Sequence, residues 1–557
     1  MLTKRSSESD VLFVVVLMGM FVYMLYKIHL GLHYDEAYLI DLGKVKVDGT
    51  KGITECWDIL QMAGYILYPF MYLFHLVVGS YDGVILFFRY IYLIIHFCIA
   101  IYAYYTINEI WGRKHARVTS CIAFMFSFYW YSVCYRAILF WGLFLTILFI
   151  LHYIKSGRGV YLVLSAIGFC LALLCYPSLI IMVIPFLFFF MRCRDGKKEI
   201  LIFGGTCIFI AFIVVVGLVA ESGMEVFGAI KYSVFYDEKM DNFHKIRTCV
   251  EIFGILASGF AINNIYIQLE LKLKRISNYY MLVFLIISAF LFAIIVARPM
   301  SAGVSRFWYT YILFFSLMYP DFLRNRGVKN HAILNYLFMI PSIWLIFVIA
   351  LSTANGVAIA AYGSIFGLMG ILLYLNGNEL YVKNSRMLIK SILVMFLFCM
   401  VFFVPDNELG SSNIFWKREL ITKGPGKGIA VTSSSLEKYD AIYNAVNNNI
   451  CDIDNVFILG SGYRAYGFLC TEAKQVSSRA YYVSPDSTRC VDYFLNNKNM
   501  KPTKVLVENV LIESNYVSYS EWENESALGL FIKNNYTKLD NSDGNWTVYR
   551  IKNTSNN

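Results

Sequence analysis

Charged residues are scarce in this 557-residue chain, at 15% of positions, and only 10 prolines interrupt it. Soluble globular domains carry about 25% charged residues, so a water-soluble globular protein is excluded. Paired cysteines are also wanting. Ten of the 13 cysteines precede residue 405, mostly singly inside apolar runs where a thiol behaves as a small hydrophobe. The remaining Cys451, Cys470 and Cys490 include no pair with metal-ligand spacing, so a zinc centre is not expected, although a disulfide among them stays open. A small-x-small cleavage site is missing as well: the first apolar run follows Lys4 and Arg5 and leads into Lys27, which reads as a retained first helix.

What is present in abundance is apolar surface. Hydrophobic residues make up 58% of the chain, with 45 Phe, 42 Tyr and 9 Trp among them. Apolar runs recur from Val11 to Val404 at the roughly 20-residue length a helix needs to cross a bilayer. They predict about 13 transmembrane helices, near 11–28, 83–105, 118–135, 137–154, 160–175, 177–191, 199–220, 249–268, 279–297, 306–320, 331–351, 357–375 and 388–404. The run 59–79 is long enough to be another, but it contains Gly64, Pro69 and His75 and is amphiphilic, which places it flat on the membrane surface.

The positive-inside rule fixes an orientation. With 59–79 excluded, Lys4/Arg5, Arg113/Lys114/Arg117, Lys155/Arg158, Arg192/Arg194/Lys197/Lys198, Lys272/Lys274/Arg275, Arg324/Arg326/Lys329 and Lys383/Arg386 all fall on one side, the cytoplasm. Counting 59–79 as a span would throw six of those seven clusters outside. The net charge of +10 therefore belongs to membrane loops and gives no reason to expect nucleic acid, because residues 405–557 hold 16 Lys+Arg against 17 Asp+Glu. The expected protein is an all-α polytopic membrane domain (1–404) in the plasma membrane, with a cytoplasmic N-terminus and a C-terminal extracytoplasmic α/β domain (405–557). Within that tail, short β-type runs at 428–432, 455–461, 504–509 and 546–551 alternate with helix-like stretches near 434–449, 488–499 and 523–534, which predicts a mostly parallel sheet. GSGYRAYG (460–467) follows one of the strands but lacks dinucleotide-binding spacing, and reads as a strand-to-helix turn.

Function is expected on the outer face: in the tail, in loops 29–82 and 221–248, or in the turn around Arg298–Ser305. The first loop opens on His33-Tyr34-Asp35-Glu36 directly after the first helix. Adjacent carboxylates at a membrane surface repel each other and cost desolvation. Either one accepts a proton from an attacking hydroxyl, a divalent cation is bound there, or Asp35 simply caps a surface helix.

After the acidic pair come Gly49, Trp57, the surface run with Tyr68-Pro69, and GSYDGVILFFRYIYLIIH (79–96) with Arg89. This order resembles the C-type glycosyltransferase superfamily (GT-C), which includes protein O-mannosyltransferases, oligosaccharyltransferases and lipid A aminoarabinose transferases. The resemblance covers residues 1 to about 220 and, more loosely, the rest by helix count. It implies an inverting membrane glycosyltransferase that moves a sugar from a polyprenyl-phosphate donor to an extracytoplasmic glycan, lipid or protein acceptor. Asp35 would be the catalytic base, and Glu36 would assist or orient it. One departure stands out: the lipid A branch has Lys-Pro-Pro in its surface helix to meet the donor phosphate, and here no Lys accompanies Tyr68-Pro69.

The phosphate is then met elsewhere, or the donor differs. Arg298 and Arg306 flank a Gly-containing outer turn, and an Arg at such a depth either binds phosphate or snorkels to lipid headgroups. Loop 221–248 offers Lys245 and Arg247 for the donor or for anionic headgroups, and could close as a gate. Tyr68 is a further substrate-binding candidate. The competing readings are a polysaccharide or lipid flippase, which should show repeats and broken midplane helices, and a non-catalytic relative serving as a scaffold.

Overall fold

The computed structural model describes residues 2–58, 60–126, 131–192, 196–234, 242–272, 305–324, 330–352, 357–377, 403–406, 410–460, 462–478, 483–539 and 545–552. Among the described residues the protein is mostly helical, with its named strands all in the C-terminal part. The helices before that part are α1 (Leu2–Lys27), α2 (Tyr34–Val47), α3 (Gln61–Val78), α4 (Val84–Trp111), α5 (Arg113–Met125), α6 (Tyr135–Ser156) and α7 (Val160–Cys175). They continue with α8 (Val183–Met191), α9 (Gly196–Ser222), α10 (Glu225–Val234), α11 (Asn242–Lys272), α12 (Ser305–Arg324), α13 (His331–Ser352) and α14 (Ile365–Gly377). Among the described residues, seven helices are long and apolar enough to cross a bilayer, and shorter apolar helices occupy Val160–Cys175, Pro177–Met191 and Ala361–Leu375. The span expected at 279–297 lies outside the described residues, as does 388–404 except for Phe403 and Val404, which are in a strand rather than a helix.

By length and composition α3 is one of the seven, yet its contacts hold it along one face. It measures roughly 27 Å at 1.5 Å per residue. At its start, Gln61 accepts from the Ile53 amide and Tyr65 bonds Glu221 at the end of α9. At its finish, His75 pairs with Glu472 of the C-terminal part at 2.9 Å. The end of α9 belongs to the same face, because Ser222 donates to Gly52 O, and Arg489 of the C-terminal part donates to Trp57 O a few residues further on. Both ends of α3 therefore meet partners on the side that carries the C-terminal part, which favours the surface placement. α2 and α3 close on each other through glycines: a Cβ on Gly64 would stand 2.6 Å from Leu42 O, and one on Gly43 3.2 Å from Leu67 Cβ.

The span expected at 118–135 needs correcting. α5 stops at Met125, about 20 Å long and short of the roughly 30 Å hydrocarbon thickness. From Phe126 the chain is non-helical wherever it is described, until Cys134 caps α6. A hydropathy window cannot see a helix end inside an apolar run. The aromatic and β-branched residues of FSFYWYSVCY (126–135) lower helix propensity there.

In the C-terminal part, β1 (Phe403–Asp406) pairs antiparallel with β2 (Gly410–Asn413), and β3 (Glu419–Leu420) pairs antiparallel with β4 (Ala430–Val431). β5 (Asn455–Leu459), β6 (Lys474–Gln475), β7 (Lys504–Glu508), β8 (Tyr536–Lys538) and β9 (Trp546–Ile551) form one sheet in the order β6-β5-β7-β9-β8. Its helices include α15 (Ser433–Asn449), α16 (Arg464–Leu469) and α17 (Thr488–Asn496). β5 is parallel to β6 and β7, whereas β9 is antiparallel to both β7 and β8. The sheet is therefore half parallel, because the short link between β8 and β9 leaves no room for the crossover that parallel neighbours need. The run at 428–432 supplies β4, outside this sheet. Cys451, Cys470 and Cys490 are free thiols.

This part is stitched to the helices at several places. The Leu30–Gly31 turn after α1 bridges Ala430, with Gly31 N–H to Ala430 O at 2.8 Å and Ala430 N–H to His29 O at 2.8 Å. At the head of α4, Gly83 N–H reaches Gly424 O at 3.0 Å. Trp57 of the first loop belongs to the apolar core beneath the sheet, packed with Phe457, Tyr493 and Trp522.

Candidate functional site

α2 begins where the sequence supplies a cap. His33 is extended (φ −137°, ψ 131°), and its Nδ1 accepts from the Asp35 amide at 3.3 Å, while Asp35 and Glu36 in the first turn suit the positive end of the helix dipole. The helix ends at Lys44 and Lys46, with Lys44 paired to Asp48 at 2.9 Å before Gly49 turns the chain at φ +73°.

Successive helical residues point about 100° apart, and that angle divides the acidic pair. Glu36 faces α4 and is 1% exposed; its two carboxylate oxygens take Arg89 Nε at 2.7 Å and Nη2 at 2.6 Å. The same guanidinium donates from Nη1 to Ile28 O (2.7 Å) and Leu30 O (3.3 Å), and from Nη2 to Gly31 O (2.8 Å). Arg89 thus joins the end of α1, the start of α2 and the body of α4, and Glu36 is consumed in holding them. Asp35 is turned aside and stays partly exposed. A divalent cation seeking both carboxylates does not fit here, since Glu36 is already bidentate to Arg89. Among the described residues no three or more His, Cys, Asp or Glu gather as a metal cluster.

Arg136, in the first turn of α6, is a cation whose charge acts on Asp35 and His33. It is buried. Its Nε donates to Tyr135 Oη at 2.8 Å, and its guanidinium carbon lies 5.2 Å from the Tyr135 ring and 5.6 Å from the Tyr362 ring. Tyr135 in turn stacks on Tyr176 (5.9 Å between centroids), whose hydroxyl meets Ser352 at 2.5 Å. Helix-end turns from α6, α7, α13 and the approach to α14 therefore meet around Arg136 and Tyr135. Burial, then the Arg136 charge, then the Arg89 charge push His33 down to about 3, so it stays neutral and keeps Nδ1 free to accept.

Asp35 and Glu36 adjoin in the first turn of α2, while Arg247 and Tyr68 have side-chain partners elsewhere. Arg298 lies outside the described residues. Arg306 falls in the first turn of α12, with its side chain outside them. Arg247 is engaged with Glu251 one turn along α11 at 2.9 Å, on a half-exposed surface, and Lys245 precedes it on the same helix. Tyr68 sits on the exposed side of α3 beside Tyr72 (5.9 Å), whereas Leu67, Met71 and Phe74 form the side packed inward. Of the loop 221–248, α10 and the start of α11 are described, and residues 235–241 lie outside the description. Arg136 escaped the sequence reading, though a signal existed: it is the one Asp, Glu, Lys or Arg between Arg117 and Lys155.

No protein-family model matches the chain, and no curated protein does. Among solved structures it is similar to the oligosaccharyltransferase AglB of Archaeoglobus fulgidus in complex with an inhibitory peptide and a dolichol-phosphate. That likeness has 11% identity over 99% of this chain and 75% of that one, at a TM-score of 0.47. It is also similar to ArnT from Cupriavidus metallidurans bound to undecaprenyl phosphate, with 11% identity over 98% of this chain and 99% of that one, at a TM-score of 0.42. At these scores the likeness transfers no residue and no role.

Proposed function

We propose that the chain is a membrane glycosyltransferase of the GT-C type, which moves a sugar from a polyprenyl-phosphate donor to an acceptor at the face carrying the C-terminal domain. The observation that carries this reading is the division of the acidic pair: Arg89 immobilises Glu36, while Asp35 remains partly open beside a buried cation. A carboxylate left partly exposed in the first turn of a helix suits the general-base role. In the proposed displacement, Asp35 takes the proton of the acceptor hydroxyl as its oxygen attacks the anomeric carbon. The bond from that carbon to the phosphate oxygen breaks, and its electron pair leaves with the lipid phosphate.

Arg136 is the group we assign to the developing charge on that phosphate. It is held by Tyr135 and Tyr362, so little reorganisation is needed when the charge appears. The positive clusters in the sequence of the other loops support a face outside the cytoplasm. The test is transfer of radiolabel from a polyprenyl-phosphate sugar in membranes. Asp35→Asn should abolish it at unchanged expression, and near-normal transfer by that variant defeats the assignment.

A further inference from the structure

The strand-to-helix turn of the C-terminal domain touches the residue next to Asp35. β5 ends at Leu459 and α16 begins at Arg464. Between them Gly462 lies so close to Tyr34 that an added Cβ would stand 2.5 Å from its Cδ1, 2.6 Å from its Cγ and 3.1 Å from its Cβ. Those atoms are the root of the ring and not its mobile tip, so Tyr34 can yield only by turning its whole side chain about χ1 or by moving its backbone. Gly462 is not in the left-handed region, and a glycine is needed there for room rather than for backbone freedom.

The turn has no slack on its other side. A Cβ on Gly467 of α16 would meet Ile458 Cδ1 of β5 at 2.8 Å and Ile442 Cγ1 of α15 at 2.9 Å. The buried Arg464 donates to Ser477 Oγ at 2.9 Å and lies over the Phe457 and Phe468 rings at 5.8 and 5.2 Å. Further along α2, Lys44 Nζ donates to Ala473 O of the same domain at 2.9 Å. Tyr34 is thus pressed between Gly462 and the His33 ring, 4.6 Å away, whose Nδ1 receives the Asp35 amide.

We infer that Gly462 and Tyr34 form a positioning contact through which the C-terminal domain aims Asp35. The inference rests on the reading of Asp35 as the base. It assigns the domain a part in the reaction: docking of the β5–α16 turn sets the first turn of α2, and with it the direction of the carboxylate. A displacement of about 1 Å at a reacting group costs on the order of 100-fold in rate, so a contact of this kind is felt in turnover before it is felt in folding.

The test uses the full-length protein in detergent and reads hydrogen exchange at the Asp35, Glu36 and Ala37 amides, all of which bond to His33. Gly462→Ala, which forces the ring aside, and Tyr34→Ala, which removes it without strain, should each speed exchange there about fivefold or more, with β5 and α17 unaffected. Unchanged exchange in both variants overturns the inference. For turnover, undecaprenyl-phosphate-linked mannose and glucose serve as probes. Gly462→Ala should lower kcat about 10- to 100-fold at little change in donor KM or thermal midpoint. In a Tyr34→Ala background the same substitution should cost less than about twofold, because the ring it strikes is gone. Equal losses in both backgrounds contradict the contact. If Asp35→Asn keeps its activity, the base reading fails, and the exchange experiment still judges whether the domain orders this turn.

Discussion

Arg89→Ala is the substitution from which the architecture predicts the largest loss of stability. It would leave the Glu36 carboxylate, 1% exposed, without its bidentate partner, and the carbonyls of Ile28, Leu30 and Gly31 without their shared donor. Breaking a buried pair from one side typically costs about 3–5 kcal/mol, because the remaining charge stays buried and uncompensated. That is a large share of the roughly 5–15 kcal/mol that holds a domain folded. Arg89→Lys should recover only part of the loss, since one ammonium cannot reach two carboxylate oxygens and three carbonyls in the same plane. Removing the charge with Glu36→Gln in the Arg89→Ala background should restore stability relative to Arg89→Ala alone, although each change is harmful singly. Thermal unfolding of the purified protein in detergent, followed by size-exclusion chromatography of heated samples, reads all four variants. A loss below about 1 kcal/mol for Arg89→Ala, or simple additivity in the double variant, would refute the clamp.

Three further outcomes follow from the same geometry. His33 titrates near 6.5 when free and near 3 in the fold, so the unfolded chain takes up a proton between those values and the folded chain does not. Stability should therefore fall as pH drops from about 6.5 towards 3 and stay level above that range; His33→Asn, which keeps the cap, should flatten the dependence of thermal midpoint on pH. Arg136→Ala should weaken donor use roughly 10- to 150-fold, as expected for about 1.5–3 kcal/mol of lost charge-assisted contact, with Lys a partial rescue. A fall in thermal midpoint at unchanged donor dependence would make Arg136 a purely structural group. For orientation, a single cysteine at Val517, 94% exposed, should react with an impermeant maleimide in intact cells, and one at Asn330 only after lysis; labelling of both from outside would reverse the assigned faces.

Much of this was legible in the sequence, for identifiable reasons. The acidic pair is visible because it falls where an apolar run ends. The strand-to-helix turn at 460–467 shows in its glycines. The different fates of Asp35 and Glu36 were not legible, since they depend on Arg89, 53 residues beyond Glu36, arriving on one side of α2. Arg136 was hidden by reading 118–135 as one helix; with α5 ending at Met125 and α6 beginning at Tyr135, Arg136 falls in the first turn of a helix. The half-parallel sheet arises from strand order, which periodicity alone does not encode.

The account stands most directly on whether Asp35, and not Glu36, carries the proton transfer. The decisive measurement compares transfer from a radiolabelled polyprenyl-phosphate sugar by the wild type, Asp35→Asn and Glu36→Gln, each normalised to folded protein. The account predicts that Asp35→Asn is inactive at wild-type thermal stability, while Glu36→Gln is destabilised but retains turnover per folded molecule. A stable, active Asp35→Asn protein would contradict it.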